Sequence, residues 1–264
     1  MPEEIKKLKQ YGFIPPVVVP EDYWFGSKKL GSQIINPSGN WLKYLPVFEH
    51  QRRNFESNAC VSFGILSSLE ILHNLLWEVR PNYSDRFTAK ISGTDPNAGN
   101  TPKNVSEAIR NNGTVPEYDW PFAEPLEEYY KEIPQRIKDI GKEWTKNYGF
   151  GYEWVDKDDL KEALKRSPVG CAVSAWVQNS KGEYIKFADW NHWVVLVAYD
   201  EQDRPIIWDS YGEGLKTLEK DYNFGFPQIY RLFGKEPEVE KSWWQKLKRA
   251  IKELLKDIQE IFNL

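Results

Sequence analysis

The sequence predicts an α+β protein with two lobes, one helical and one built from antiparallel strands. Helical spacing of apolar residues dominates the first half of the 264-residue chain, and a period of two dominates from Pro168 onward. Strands and helices do not alternate, and no internal repeat occurs, so a parallel α/β sheet is disfavoured. The length suits one large domain or two small ones.

Composition narrows the class of protein. Hydrophobic residues make up 41% and charged residues 28%, which is typical of a soluble globular chain. The formal charge of −4 gives no reason to expect nucleic acid as a partner. We find no signal-peptide core and no run of about 18 apolar residues. With only two cysteines, the sequence predicts a reducing compartment and a cytoplasmic location.

No metal or cofactor is expected. Three dispersed histidines and two dispersed cysteines do not have the spacing of a zinc site. A glycine-rich phosphate-binding loop is also missing from the sequence.

Three segments are predicted: an extended arm over 1–44, a main domain over 45–234, and a linker with an amphipathic helix over 235–264. Frequent prolines and glycines in the arm, such as Pro15, Pro16 and Pro20, leave little room for a helix.

The main helix is predicted over residues 59–79. Apolar residues recur there at helical spacing: Val61, Ile65, Leu69, Leu72 and Leu76. Ser57 or Asn58 could cap its start, and Pro81 would stop it.

Shorter helices follow. Residues 102–111 have Thr101 as a cap and Gly113 as a stop. A polar helical stretch is expected near 125–140, and another short helix over 157–165.

The β-rich runs VGCAVSAWV, HWVVLVAY and PIIWDSY come next, with a further strand over 222–233.

The last segment has one apolar face: Trp243, Trp244, Leu247, Ile251, Leu254, Leu255, Ile258, Ile261 and Phe262. Its other face is rich in lysine, which suits an anionic membrane surface. Residues 241–262 could also pair with a second copy or dock on the chain's own surface, and these alternatives stay open.

Cys60 stands where the long helix is predicted to begin. A helix N-terminus and a nearby imidazolium both lower a thiol pKa and so favour the nucleophilic thiolate. The alternative is a small buried residue, which is the more common role of a lone cysteine. Cys171, in the middle of an alternating run, is predicted to have that role.

His192 opens a strongly apolar strand, and Asp209 ends the next one. If the two strands pair, the carboxylate can accept the imidazole N–H and fix its tautomer. A core histidine and a turn aspartate are the plain alternatives. His50 and His73 are predicted to be a loop residue and a helix-face residue.

These segments resemble the papain family of cysteine peptidases. QRRNFESNACVSFGILSSLE resembles the family's active-site helix, NHWVVLVAYD its histidine strand, and WDSYGEG its asparagine–serine–tryptophan–glycine turn. The Cys-His-Asn/Asp order is kept, with about 130 residues between Cys60 and His192. The resemblance covers roughly residues 45–233 and is closest to intracellular bacterial or phage-type relatives, so a viral gene is one alternative.

The resemblance implies a papain-like fold and a peptidase acting on a protein or peptide substrate. Cys60 would be the nucleophile, His192 the base, Asp209 its orienting partner and Gln51 an oxyanion donor. The family glutamine normally stands where this sequence has Asn54, so the choice of Gln51 requires a three-residue insertion. Asn54 and Asn58 are the alternatives.

Two further departures concern the family's neutral asparagine, replaced here by Asp209, and its shielding tryptophan, replaced by Tyr211.

Another Cys-His-Asp amide hydrolase or transferase is disfavoured by the long separation of Cys60 from His192. An inactive binding or structural module stays open. Part of residues 12–40 could lie on or near the cleft, or pack on the back of a lobe.

Overall fold

A computed structural model describes residues 11–26 and 33–234. Backbone contacts divide the chain into two units, Met1–Gly234 and Lys235–Leu264. All described residues belong to the first unit. The predicted amphipathic helix over 241–262 lies outside the described residues and stays a prediction.

The described part is α+β, as the sequence predicts. Its helices are α1 (Cys60–Trp77), α2 (Asp85–Ile91), α3 (Pro102–Asn112), α4 (Leu126–Tyr129), α5 (Gln135–Asn147) and α6 (Leu160–Leu164). Its strands are β1 (Tyr148–Trp154), β2 (Val169–Val173), β3 (His192–Tyr199), β4 (Pro205–Trp208), β5 (Leu215–Thr217) and β6 (Gly225–Gly234). All five strand pairings are antiparallel, in the order β1-β6-β2-β3-β4-β5.

Helix α1 is the centre of the main core and packs against both α3 and β3. It is long and apolar enough to cross a membrane, but 72% of it is buried inside the protein, so its apolar surface serves the core. A Cβ on Gly64 would lie 2.7 Å from the Trp193 ring. A small residue is therefore needed where the helix meets β3.

The predicted cap of α1 is wrong. The helix begins after Ala59 with no side-chain cap. Asn58 has a φ of 53° and its amide donates to the Pro96 carbonyl at 2.6 Å, so it is committed to a loop. The helix ends at the C-cap residue Glu78, which has a left-handed conformation and donates its backbone N–H to the Asn74 carbonyl. The helix therefore stops before Pro81, the residue predicted to end it.

The short helices follow the capping rules more closely. The Thr101 side chain accepts the Asn104 N–H at the start of α3, and Gly113 ends it with a φ of 71°. The polar stretch near 125–140 forms two helices, α4 and α5, because Pro134 stands immediately before α5. Over 157–165 a 3₁₀ turn, Lys157–Asp159, precedes α6.

Three elements were not predicted: α2, β1 and β5. The strand β1 contains Gly149 and Gly151, which weaken a strand pattern. It is stabilised instead by pairing along its whole length with β6, from Tyr148 opposite Gly234 to Trp154 opposite Gln228.

Candidate active site

Cys60 is the first residue of α1 and is fully buried. Burial raises the pKa of its thiol well above the usual range, and the carboxylate of Glu56 raises this pKa further. Backbone N–H groups of Trp193 and Val61 have the opposite effect and lower the pKa. The predicted lowering of the thiol pKa by the helix N-terminus is therefore outweighed in this arrangement, since water is excluded from the sulfur. The Trp193 contact places the sulfur beside the residue that follows His192.

His192 begins β3, and Asp209 directly follows β4, the strand that pairs with β3. The two side chains are fully buried, and His192 Nε2 lies 2.6 Å from Asp209 Oδ1. Since an ionised carboxylate only accepts hydrogen bonds, Nε2 carries the proton. In the neutral ring, Nδ1 is then the basic nitrogen. It is buried and has no hydrogen-bond partner among the described residues.

Three aromatic rings surround the His192 imidazole. Tyr211 lies 5.2 Å away, Tyr11 5.6 Å and Trp176 5.8 Å between ring centroids. Tyr211 thus lies beside the imidazole, where the papain-family resemblance places the shielding tryptophan. Trp176 was not predicted, because it is distant in sequence from both His192 and Asp209 and follows the end of β2.

Gln51 lies beside the aspartate turn. Its side chain is fully buried, its Oε1 accepts the Ser210 hydroxyl at 2.7 Å, and its backbone N–H bonds to the Ser210 carbonyl. Asn54 is exposed, and its amide donates to the Glu124 carboxylate. With the Asn58 amide held by a loop carbonyl, Gln51 is the candidate oxyanion donor that the structure places against the Asp209–Ser210 turn.

The first described residues of the arm, Tyr11 and Gly12, lie against this site. Gln51 Nε2 donates to the Tyr11 carbonyl at 3.2 Å, and the Tyr11 N–H donates to the Asn191 carbonyl at 3.2 Å. A Cβ on Gly12 would lie 2.1 Å from the Asn58 carbonyl oxygen, so the arm's backbone is in close contact with the loop before Cys60. At Tyr11 and Gly12 the arm thus lies on the candidate site.

Farther along, the arm packs on the β lobe instead. The Phe25 N–H bonds to the Trp154 carbonyl and the Trp41 N–H to the Val197 carbonyl. These later parts of the arm therefore bond to strands of the sheet, Phe25 to the last residue of β1 and Trp41 to β3.

Glu56 is a further residue of the site that sequence reasoning missed. Its Oε1 accepts from Gln51 Nε2 at 2.8 Å, and its Oε2 accepts the Tyr211 hydroxyl at 2.5 Å. The available signal was its place between Gln51 and Cys60, but a charged loop residue is usually solvated, so sequence alone did not select it.

The remaining candidates are structural. His73 is buried in α1 with its Nε2 2.8 Å from the Tyr83 hydroxyl, and burial lowers its pKa to about 3. His50 is in a loop, where its Nδ1 accepts the Arg52 N–H. Cys171 is buried in β2, and burial raises the pKa of its thiol. No metal-binding cluster occurs among residues 11–26 and 33–234.

The architecture and this site define a papain-like fold, with a long helix carrying Cys60 and a sheet carrying His192 and Asp209. Comparison with known proteins supports the same fold. No protein-family model and no curated protein sequence matches the chain. Solved structures do match, and they are papain-like cysteine proteases.

Procathepsin L 3 from the larval midgut of Tenebrio molitor has a TM-score of 0.57 and 16% identity, over 79% of this chain and 72% of that one. Bromelain from Ananas comosus, in complex with the E64 inhibitor, has a TM-score of 0.54 and 16% identity, over 75% and 98%. The proform of the ragweed pollen allergen Amb a 11 has a TM-score of 0.56 and 15% identity, over 78% and 69%. At this identity the likeness shows the fold alone.

Proposed function

We propose that this chain is a cysteine peptidase that hydrolyses peptide bonds in a protein or peptide substrate through Cys60, His192 and Asp209. One observation carries the proposal. The buried His192 ring is bonded through Nε2 to Asp209, its Nδ1 has no hydrogen-bond partner among the described residues, and the Cys60 sulfur contacts the next residue of β3. We interpret these contacts as a base oriented by Asp209 that serves the thiol at the helix N-terminus.

The reaction follows from these positions. His192 Nδ1 takes the Cys60 proton, and the thiolate attacks the substrate carbonyl carbon. Gln51 Nε2 and the backbone N–H of Cys60 stabilise the developing oxyanion. The imidazolium then protonates the leaving amine, and water activated by the same imidazole hydrolyses the thioester and regenerates the thiol. Asp209 keeps the ring in the reactive tautomer throughout.

The test is a pair of cysteine variants. We expect Cys60→Ala to lower peptide hydrolysis by several orders of magnitude, because the whole triad acts as a unit, with unchanged circular dichroism. Cys171→Ala is the matched control, since it removes the other buried thiol. A labelled cysteine-reactive epoxide should modify Cys60 alone. Wild-type turnover in Cys60→Ala, or loss of turnover only in Cys171→Ala, would show the assignment to be wrong.

An inactive binding module is the second candidate, and the covered site favours it. Both amide hydrogens of Gln51 are engaged, by Tyr11 and Glu56, and the Cys60 thiol is fully buried. A protein that resists the epoxide even after removal of the arm's first twelve residues would support this alternative. The cytoplasmic location stays a prediction.

A further inference from the structure

Lys216 is a buried cation beside the acidic member of the candidate triad. It lies in β5 with 8% of its surface exposed. Its Nζ donates to Asp209 Oδ2 at 2.7 Å and to the Tyr211 carbonyl at 2.6 Å. The same ammonium lies 5.2 Å from the centroid of the Trp176 ring. Lysine is almost never buried unless it is paired, so this ion pair requires an explanation.

The two oxygens of the Asp209 carboxylate accept hydrogen bonds from two different side chains. Oδ1 bonds to His192 Nε2 at 2.6 Å, and Oδ2 bonds to Lys216. An uncompensated carboxylate in a dry site strongly favours a protonated imidazole. An imidazolium that holds its proton too tightly is a poor acid toward a leaving amine. With Lys216 present, the Asp209–Lys216 pair has no net charge, as an asparagine would have none.

We propose that Lys216 is a positioning residue for His192 that acts through Asp209. It cancels the carboxylate's charge and fixes its rotation, so that the aspartate can orient the imidazole as a neutral amide would. This role rests on the proposed peptidase function, but its physical basis, the charge balance around His192, can be measured without turnover.

Other charged or titratable groups also face this site. From the arm, the loops and α1 they are Tyr11, His50, Arg52, Glu56, Cys60, Tyr184 and Tyr211. Since all of them are unchanged in variants of Asp209 and Lys216, differences among such variants isolate the contribution of the pair.

The experiment compares four full-length proteins: wild type, Lys216→Met, Asp209→Asn and the double variant. The imidazole of His192 is titrated by NMR, with signals assigned through His50→Gln and His73→Gln. Its titration midpoint should rise by ~1 pH unit in Lys216→Met, because the carboxylate is then unbalanced. It should fall by a similar amount in Asp209→Asn, where the ammonium is unbalanced, and return close to the wild-type value in the double variant.

The pH profile of kcat/KM provides a second readout. Its high-pH limb, which reports the Cys60–His192 pair as a whole, should shift in the same order. The double variant should also be roughly tenfold more active than Asp209→Asn alone, since the two sites are coupled. If Lys216→Met does not fold, the comparison of the double variant with Asp209→Asn still tests the role of Lys216, because neither of these two proteins contains the Asp209 carboxylate.

Lys161→Met is the matched control. Lys161 pairs with Asp203 at 2.5 Å and lies 5.1 Å from the Tyr199 ring centroid, but its side chain is 60% exposed. It should leave the His192 midpoint unchanged. Equal midpoints in all four proteins would overturn the role of Lys216 even if the wild type is an active peptidase. If the wild type hydrolyses nothing, the peptidase proposal fails, and the order of midpoints still tests the charge balance.

Discussion

Gln51 is the proposed oxyanion donor, and both ends of its amide are held by hydrogen bonds. Its Oε1 is fixed by the Ser210 hydroxyl and its Nε2 by Glu56 and the Tyr11 carbonyl. The amide is therefore held in one orientation, and a carbonyl oxygen already lies at hydrogen-bonding distance from it. A substrate carbonyl that replaces that of Tyr11 would find a donor that needs no reorganisation.

We expect Gln51→Ala to lower kcat by roughly ten- to a thousandfold, the range for the loss of one oxyanion donor. Asn54→Ala is the control, because Asn54 is exposed and bonded to Glu124, and it should have a much smaller effect. Steady-state kinetics on a small peptide would separate kcat from KM. The opposite ranking of the two variants would mean that the insertion before Cys60 was placed incorrectly.

Candidate site residues could be predicted from the sequence where a local helix or strand pattern adjoined them. Cys60 begins a long apolar helix, and His192 and Asp209 flank two consecutive strands, so each could be proposed from its neighbours in sequence. Lys216 and Glu56 could not. Their roles depend on burial and on partners brought close by the fold, and a lysine in a short strand has no signal that separates it from a solvated one.

At the scale of elements, the first described residues of the arm lie over the candidate site. Tyr11 bonds to Asn191 and Gln51 through its backbone, and its ring packs on His192. Phe13, two residues later, is 2% exposed and stacks on Trp193. The arm therefore combines a segment over the candidate catalytic groups with an anchor in the core.

Removal of residues 1–12 should raise hydrolysis of small peptides by roughly tenfold or more, because the fraction of open sites limits the apparent activity. This deletion keeps Phe13 in the core. Removal of residues 1–10 alone keeps Tyr11 and should have little effect. Initial rates on a fluorogenic peptide measure both. Equal rates in the two truncated proteins would show that Tyr11 does not restrict access.

The elements themselves were predicted unevenly, for physical reasons. Helix α1 and strand β3 have dense apolar patterns because they form the core on both sides of their contact. Strand β1 owes its conformation to pairing with β6, a contact between distant parts of the sequence. Local periodicity cannot reveal such a contact, and for the same reason the three-residue β5 was missed.

At the scale of the whole molecule, the candidate site forms where the two lobes meet. Helix α1 supplies Cys60 from the helical side, and the ends of β3 and β4 supply His192 and Asp209 from the sheet. Gly234 is the last described residue and pairs with Tyr148, the first residue of β1. Every residue of the candidate site therefore lies before the segment 235–264.

Truncation after Gly234 tests what that last segment does. Its predicted apolar face of nine large side chains would not stay in water, since burial of each is worth on the order of 1.5–3 kcal/mol. Lysines with two tryptophans, Trp243 and Trp244, at one end suit an anionic bilayer.

The full-length protein should co-sediment with anionic vesicles at low salt and less at high salt. The truncated protein should fold, hydrolyse peptides at the same rate and ignore the vesicles. Self-association of the full-length chain in analytical ultracentrifugation, without vesicle binding, would instead identify a second copy as the partner. A monomer that ignores vesicles would leave docking on the chain's own surface.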